Sequence, residues 1–359
     1  MLPRLFVAYG VLLFLGTSLL TFEFADETVP ILAHPQARTT VIAVGDILLG
    51  RSLGALMEES GDYTIPFTGM KQELVSADIA FGNLEGPFCG EAPYPTTGMV
   101  FRVHPEAVAG LVDAGFDVLS VANNHFENGG DACMRFSLEH LREAGIATAG
   151  AGVTYEQAHS PAILERHRVR FAFLGYTYAL RNDTPDSTHP VISGRNPENV
   201  RRDVAAALQR ADVVIVSLHD GTEYTERVSA ETIEFTHAAI DAGAAVVLGH
   251  HPHVPQRVEH YRDGWIFYSL GNFVFQQYTP ASTRVALAAR LTFAGARLAR
   301  VEALPVVIEL HSHPRLATAE EATDILKIIG LESPLLWPPE EVAMELRPAR
   351  ETRLPRSFH

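Results

Sequence analysis

Thiols are almost missing from this chain. Two cysteines, Cys89 and Cys133, occur in 359 residues, which excludes a metal site built on four thiolates. They are not in a Cys-x-x-Cys spacing, so a mixed thiolate–imidazole zinc site has no local signature either. Whether the two form a disulfide stays open at this level. Basic runs are missing too. The formal net charge is −15 at pH 7 and no stretch is rich in Lys or Arg. Nucleic-acid binding depends on neutralising phosphates with those residues, so nucleic acid is excluded as a partner. No internal repeat and no low-complexity tract is present.

What is there suits a large core. The chain is 47% hydrophobic and 20% charged, enough for one big domain or two ordinary ones. The N-terminus stands apart. "LFVAYGVLLFLGTSLLTFEF", Leu5 to Phe24, has no charge before Glu23, with Arg4 ahead of it and Asp26 and Glu27 behind. About 18 apolar residues suffice to span a bilayer, and these flanks fit a cytoplasmic N-terminus with an exported remainder. Residues 1–24 are read as a transmembrane anchor. A cleaved signal peptide is the alternative, although Glu23-Phe24-Ala25 makes a poor cleavage site. Residues 25–38 read as a linker, 39–311 as the main domain, and 312–359 as a C-terminal helix and tail.

Within the main domain, apolar β-branched runs alternate with helical patterns. Strands are expected at Thr39–Gly45, Ser76–Asn83, Phe116–Asn124, Arg168–Tyr176, Asp212–His219 and Ala244–Gly249. Helices are expected at Pro105–Gly115, about Ala132–Ala144, Pro197–Ala211 and Ser229–Gly243, marked by Pro or Ser at the start or Gly at the exit. That alternation predicts an α/β fold with parallel pairing. From Gln256 the pattern turns hairpin-like, so the sheets should be mixed. A last helix is expected over Thr318–Gly330.

Parallel sheets bind ligands beyond the carboxyl ends of their strands. Those ends hold Asp46; Asn83 and Glu85; Asn123, Asn124 and His125; His219 and Asp220; and His250, His251 and His253. Each alone has a bland explanation, such as a turn cap or a packed histidine. Together they form an N/O donor set without sulfur, suited to manganese, ferrous iron, zinc or magnesium. In "GHHPHVPQ" (Gly249–Gln256) an extended backbone puts His251 and His253 on one side and turns His250 away. Pro252 should bias His251 toward that extended conformation.

The motifs "GDILLG" (Gly45–Gly50), "NLEGP" (Asn83–Pro87), "FRVHPE" (Phe101–Glu106), "ANNHFENGG" (Ala122–Gly130), "HDGTEY" (His219–Tyr224), "GHHPHVPQ" and "YSLGNFVF" (Tyr268–Phe275) together resemble the CapA family. This is the capsule or poly-γ-glutamate synthesis family of the calcineurin-like metallophosphoesterase superfamily. The resemblance runs from about Thr39 to Gln277. It implies a four-layer αββα sandwich of two mixed sheets, with one or two divalent ions above the strand ends. It implies Asp46, Glu85, Asn124, His219, His251 and His253 as metal ligands and His125 as the group that protonates a leaving group. Arg102, Glu223 and Asn272 are read as substrate-side residues.

Four positions depart from the family pattern. Leu48 stands where the superfamily usually has a histidine, and Glu85 where it has a bridging aspartate. Asn128 replaces a common Asp, and Asp220 a common Trp; Asp220 is a candidate to offset the ligand lost at Leu48. The expected function is a metal-dependent hydrolase or transferase acting on poly-γ-glutamate, a related anionic polymer, or its precursor. A non-catalytic, membrane-anchored component of a polymer synthesis or export complex and a general exported metallophosphoesterase are the alternatives. The expected location is the extracytoplasmic side of a bacterial membrane, anchored, or secreted if the N-terminal segment is cleaved.

Overall fold

The computed structural model describes residues 37–331 and 333–337. The expected anchor over 1–24, most of the linker and the end of the tail lie outside them. Among the described residues no helix is long and apolar enough to cross a membrane.

Two mixed sheets carry the fold. In the first, the parallel strands Arg38–Ile47, Ile79–Leu84, Val118–Ser120 and Ala147–Ala149 lie side by side. Their open flank is extended by the antiparallel strands Val285–Ala294, Arg297–Glu309 and His313–Leu316. The second sheet has parallel strands Val169–Thr177, Val213–His219, Val246–His250 and Gly264–Phe267, with antiparallel Ala162–Arg166 and Val258–Tyr261 on its edges. The parallel-then-hairpin order expected from the sequence is therefore present. The strand expected over Phe116–Asn124 is shorter, because Ala122 to Asn124 already belong to the site loop. The last helix is Ala319–Ile328, closed at its start by a capping box between Thr318 and Glu321.

Side-chain alternation explains the layering. Val41, Ala43, Phe81, Phe171, Phe173, Ile215 and Leu248 point into the space between the sheets. There Phe81 stacks on Phe173 with centroids 5.6 Å apart. Their neighbours Ile42, Val44 and Ala80 face the helices Arg51–Ser60 and Gly130–Glu143. Leu174, Val214, Val216 and Val247 face Pro197–Ala207 and Ala230–Asp241. Strands buried on both faces read as unbroken apolar runs, as these do. The result is the αββα sandwich that the resemblance implies.

Two glycines let backbone close in beneath the site. A Cβ on Gly45 would sit 1.9 Å from the Gly271 carbonyl oxygen, and one on Gly249 would sit 1.9 Å from that of Tyr268. Asp46 and His250, the residues that follow, are thereby set at the strand ends. Cys89 and Cys133 form a disulfide, which ties the chain just past Glu85 to the helix that follows the His125 loop.

Candidate metal centre

The centre is built from the far ends of both sheets. Asp46 pairs in register with Asn83 and Asn272, and His219 with His250. Asp46 is fully buried. It accepts from Nδ2 of Asn83 at 2.9 Å and from the backbone N–H of His251 at 3.2 Å. Nδ1 of His253 lies 3.3 Å from its Oδ2, and Nδ1 of His250 3.4 Å from its Oδ1. Burial opposes its charge, but the imidazoles of His250 and His253 outweigh that and hold its carboxyl well below the usual range.

Glu85 contrasts with it. It is buried, and neither carboxylate oxygen has a hydrogen-bond partner. Burial, reinforced by the charge of Asp46, pushes its carboxyl well above the usual range. The nearest base is Nε2 of His219 at 3.7 Å.

The imidazoles differ in charge. Burial, and then repulsion from His251, keep His219 well below its usual pKa; its Nε2 is 2.8 Å from Oδ1 of Asn124. Two ligands of one ion at bond lengths near 2.1 Å stand about 3 Å apart, so these two atoms suit a shared cation. Burial, then the charge of His253, bring His251 down to about 4, and its buried Nδ1 has no partner. Burial also opposes charge on His253, but Asp46 and Glu85 raise it to about 9.

Among the described residues, two groups each bring three ligand atoms within 4.8 Å of one another: Asp46, Glu85 and His253, and Glu223, His251 and His253. A buried carboxylate without donors and neutral imidazoles with free lone pairs are what a divalent ion requires. The residues present therefore fit the cation that the resemblance implies. His125 is buried beside them. Its Nδ1 is 3.1 Å from Oδ1 of Asn128, and its ring stacks on Phe101 at 3.9 Å. Burial lowers its pKa, partly countered by Asn128.

Several expectations need correction. His251 and His253 do share the site, with ring centroids 6.0 Å apart, but not through an extended segment. Their φ values are +95° and +58°. The chain turns here, and this turn rather than strand parity brings the rings together. His250 is set back as expected, buried near Asp46 and Phe81. Glu223 faces His251 and His253 and joins the ligand candidates rather than the substrate side. Asn272 is a holder: its Oδ1 takes Nδ1 of His253 at 2.8 Å, and its amide donates to the Thr283 carbonyl and to Gln277. The substrate-side reading of Arg102 is not among those corrected: it gives Nε to Sγ of Cys89 and Nη2 to the Glu91 carbonyl and, among the described residues, engages no carboxylate. Asp220 does not offset Leu48, because Arg195 at 2.5 Å and Thr232 at 2.6 Å engage it. Leu48 itself is buried with Phe101 and Phe275, so apolar contact fills the place of the usual imidazole.

The sequence reading also left residues unassigned. Asn83 links Asp46 and His219, and its position two residues before Glu85 was a usable signal. Asn123 donates to the Leu84 carbonyl at 2.8 Å and accepts from the His125 N–H at 3.1 Å, so it fixes the loop. Tyr178, whose ring lies 4.8 Å from that of His251, had no sequence signal.

Fold and site together define a two-sheet α/β protein with a buried carboxylate–imidazole centre at its strand ends. The model of the bacterial capsule synthesis protein family PGA_cap matches residues 40–277. The chain belongs to that family. It is 31% identical over 262 residues to capsule biosynthesis protein CapA of Bacillus anthracis, covering 70% of this chain and 63% of that one. It is 32% identical over 243 residues to PGA biosynthesis protein CapA of Bacillus subtilis, covering 65% and 62%. The matches thus span somewhat under two thirds of those relatives' lengths. A solved Staphylococcus aureus chain, named as a candidate 5′-nucleotidase, is 12% identical with a TM-score of 0.43, covering 81% of this chain and 58% of that one.

Proposed function

We propose that this protein is a metal-dependent hydrolase or transferase working on an anionic capsule polymer such as poly-γ-glutamate, or on its precursor. The observation that carries the reading is Glu85. A buried carboxylate with no donor, set among Asp46, His219 and His253, is costly in its charged form unless a cation neutralises it, and without one burial favours its protonated form. A divalent ion held there would lower the pKa of water and polarise the carbonyl or phosphoryl oxygen under attack.

The chain's own groups supply the rest. Asn128 occupies Nδ1 of His125, which leaves Nε2 to exchange a proton with the leaving group. Burial keeps His125 neutral at pH 7, and a bound anion beside it raises its proton affinity. His125 then becomes an acid when substrate is present. Phe101, stacked on the ring, holds its plane.

We also propose that the protein is exported and anchored by its N-terminal apolar segment. The Cys89–Cys133 disulfide supports an oxidising compartment. A second reading, a non-catalytic member of a polymer synthesis or export complex, is favoured by one observation, the apolar packing of Leu48.

The test uses the full chain. Bound metal is measured by mass spectrometry, and cleavage of a phosphoester and of a γ-glutamyl amide is assayed for wild type and His251→Ala. Metal-dependent turnover that the variant loses is the expected result. Metal-free protein without turnover would favour the second reading.

A further inference from the structure

Arg51 is held against three separate penalties. Its Nε is buried with no hydrogen-bond partner, which leaves a desolvated donor unpaired. Its φ is +60°, in the left-handed region that L side chains other than Asn and Asp avoid. It also opens the helix Arg51–Ser60, where the macrodipole's positive end disfavours a cation. Local cost offset only by a contact with one aromatic ring points to a functional residue.

Its surroundings say what the function is. The guanidinium carbon lies 5.9 Å from the centroid of Phe101, the ring that stacks on His125. A cleft of about 40 Å³ is lined by Arg51, Arg102, His104, Tyr94, Thr96 and Glu58. That is room for one small polar group. Arg102 spends two of its donors on Cys89 and the Glu91 carbonyl, and none on a carboxylate. Glu58 shares the lining without pairing to either arginine. Two guanidinium groups free of carboxylates, in a chain of formal net charge −15, make a local anion site.

We propose that Arg51 and Arg102 form an oxyanion-recognition subsite in this cleft that grips a carboxylate or phosphate oxygen of the substrate, with Phe101 in contact with both Arg51 and His125. The inference rests on the hydrolase or transferase reading above. The guanidinium fork matches both groups bidentately. A γ-glutamyl polymer carries a free carboxylate at every residue, so one falls near the cut bond whichever bond is cut. A phosphoester would present its non-bridging oxygens.

The experiment measures binding of a defined γ-glutamyl oligomer and of inorganic phosphate to the full chain by calorimetry. Wild type is compared with Arg51→Asn, Arg51→Lys and Arg102→Gln. Asn tolerates the left-handed backbone, so it removes the charge without adding strain. Arg51→Asn should weaken the oligomer tenfold or more, and Arg51→Lys less, with bound metal and melting temperature unchanged. Loss confined to phosphate would assign the subsite to a phosphoryl group. Equal affinities of wild type and Arg51→Asn for both probes, or no binding of either by wild type, overturn the proposal. Binding needs no turnover, so a chain that binds but never turns over overturns the hydrolase reading alone.

Discussion

Nδ1 of His253 donates to Oδ1 of Asn272 at 2.8 Å while lying 3.3 Å from Oδ2 of Asp46, so Asn272 fixes how this ring is set against the centre. The amide cannot flip, because its other end donates to Thr283 and Gln277. Asn272→Ala should lower metal affinity by about 10–100-fold, as loss of ligand-orienting partners does. Competition with a chelator measures it; unchanged affinity would remove Asn272 from the site's support.

Glu85 is a stability cost kept for binding. With both oxygens unpartnered, its charge destabilises the metal-free fold. Glu85→Gln should stabilise the metal-free protein at pH 8 by about 2 kcal/mol and lack the rise in melting temperature expected of wild type on adding Mn²⁺. Thermal unfolding in chelator and in Mn²⁺ reads both. A variant less stable than wild type without metal contradicts the argument.

Away from the centre, His159 is clamped between Asp183 and Asp203, with each ring nitrogen 2.7 Å from a carboxylate. Burial opposes its charge, but the two acids raise it to about 9. The folded pKa exceeds the unfolded 6.5, so the folded state binds the extra proton. The stabilisation is complete below pH 6.5 and is lost as pH rises through about 9. On the order of 3 kcal/mol is involved. His159→Gln should flatten stability between those pH values in denaturant titrations, and a slope equal to wild type would refute this.

Leu48→His places an imidazole at the position where the resemblance expects one. The new ring replaces an apolar side chain packed on Phe101 and Phe275, so the metal-free protein should lose about 1–3 kcal/mol. Bound metal per chain should rise at the same time. Metal content and unfolding in chelator are the two measurements. Stability lost without added metal would mean that this position does not face the ions.

Much of this protein was legible in its sequence. Runs such as Val41–Val44 and Val213–Val216 announced strands buried on both faces. The polar residues just after them announced where a ligand would sit, because parallel strands end on one side of a sheet. That rule points to a set of strand-end residues that includes Asp46, Glu85, His219, His251 and His253, and the family resemblance supplies their roles as ligands. What the sequence could not settle was which way side chains turn once regular backbone stops. His251 and His253 meet through left-handed φ values that no periodicity encodes. Asp220 is captured by Arg195 while Glu223, three residues on, reaches the centre. Arg51 gains meaning only from lacking a partner, and a missing partner is a property of three-dimensional neighbours. Residue types and strand ends belong to local sequence; assembling ligands from positions 46 to 253 required the tertiary fold.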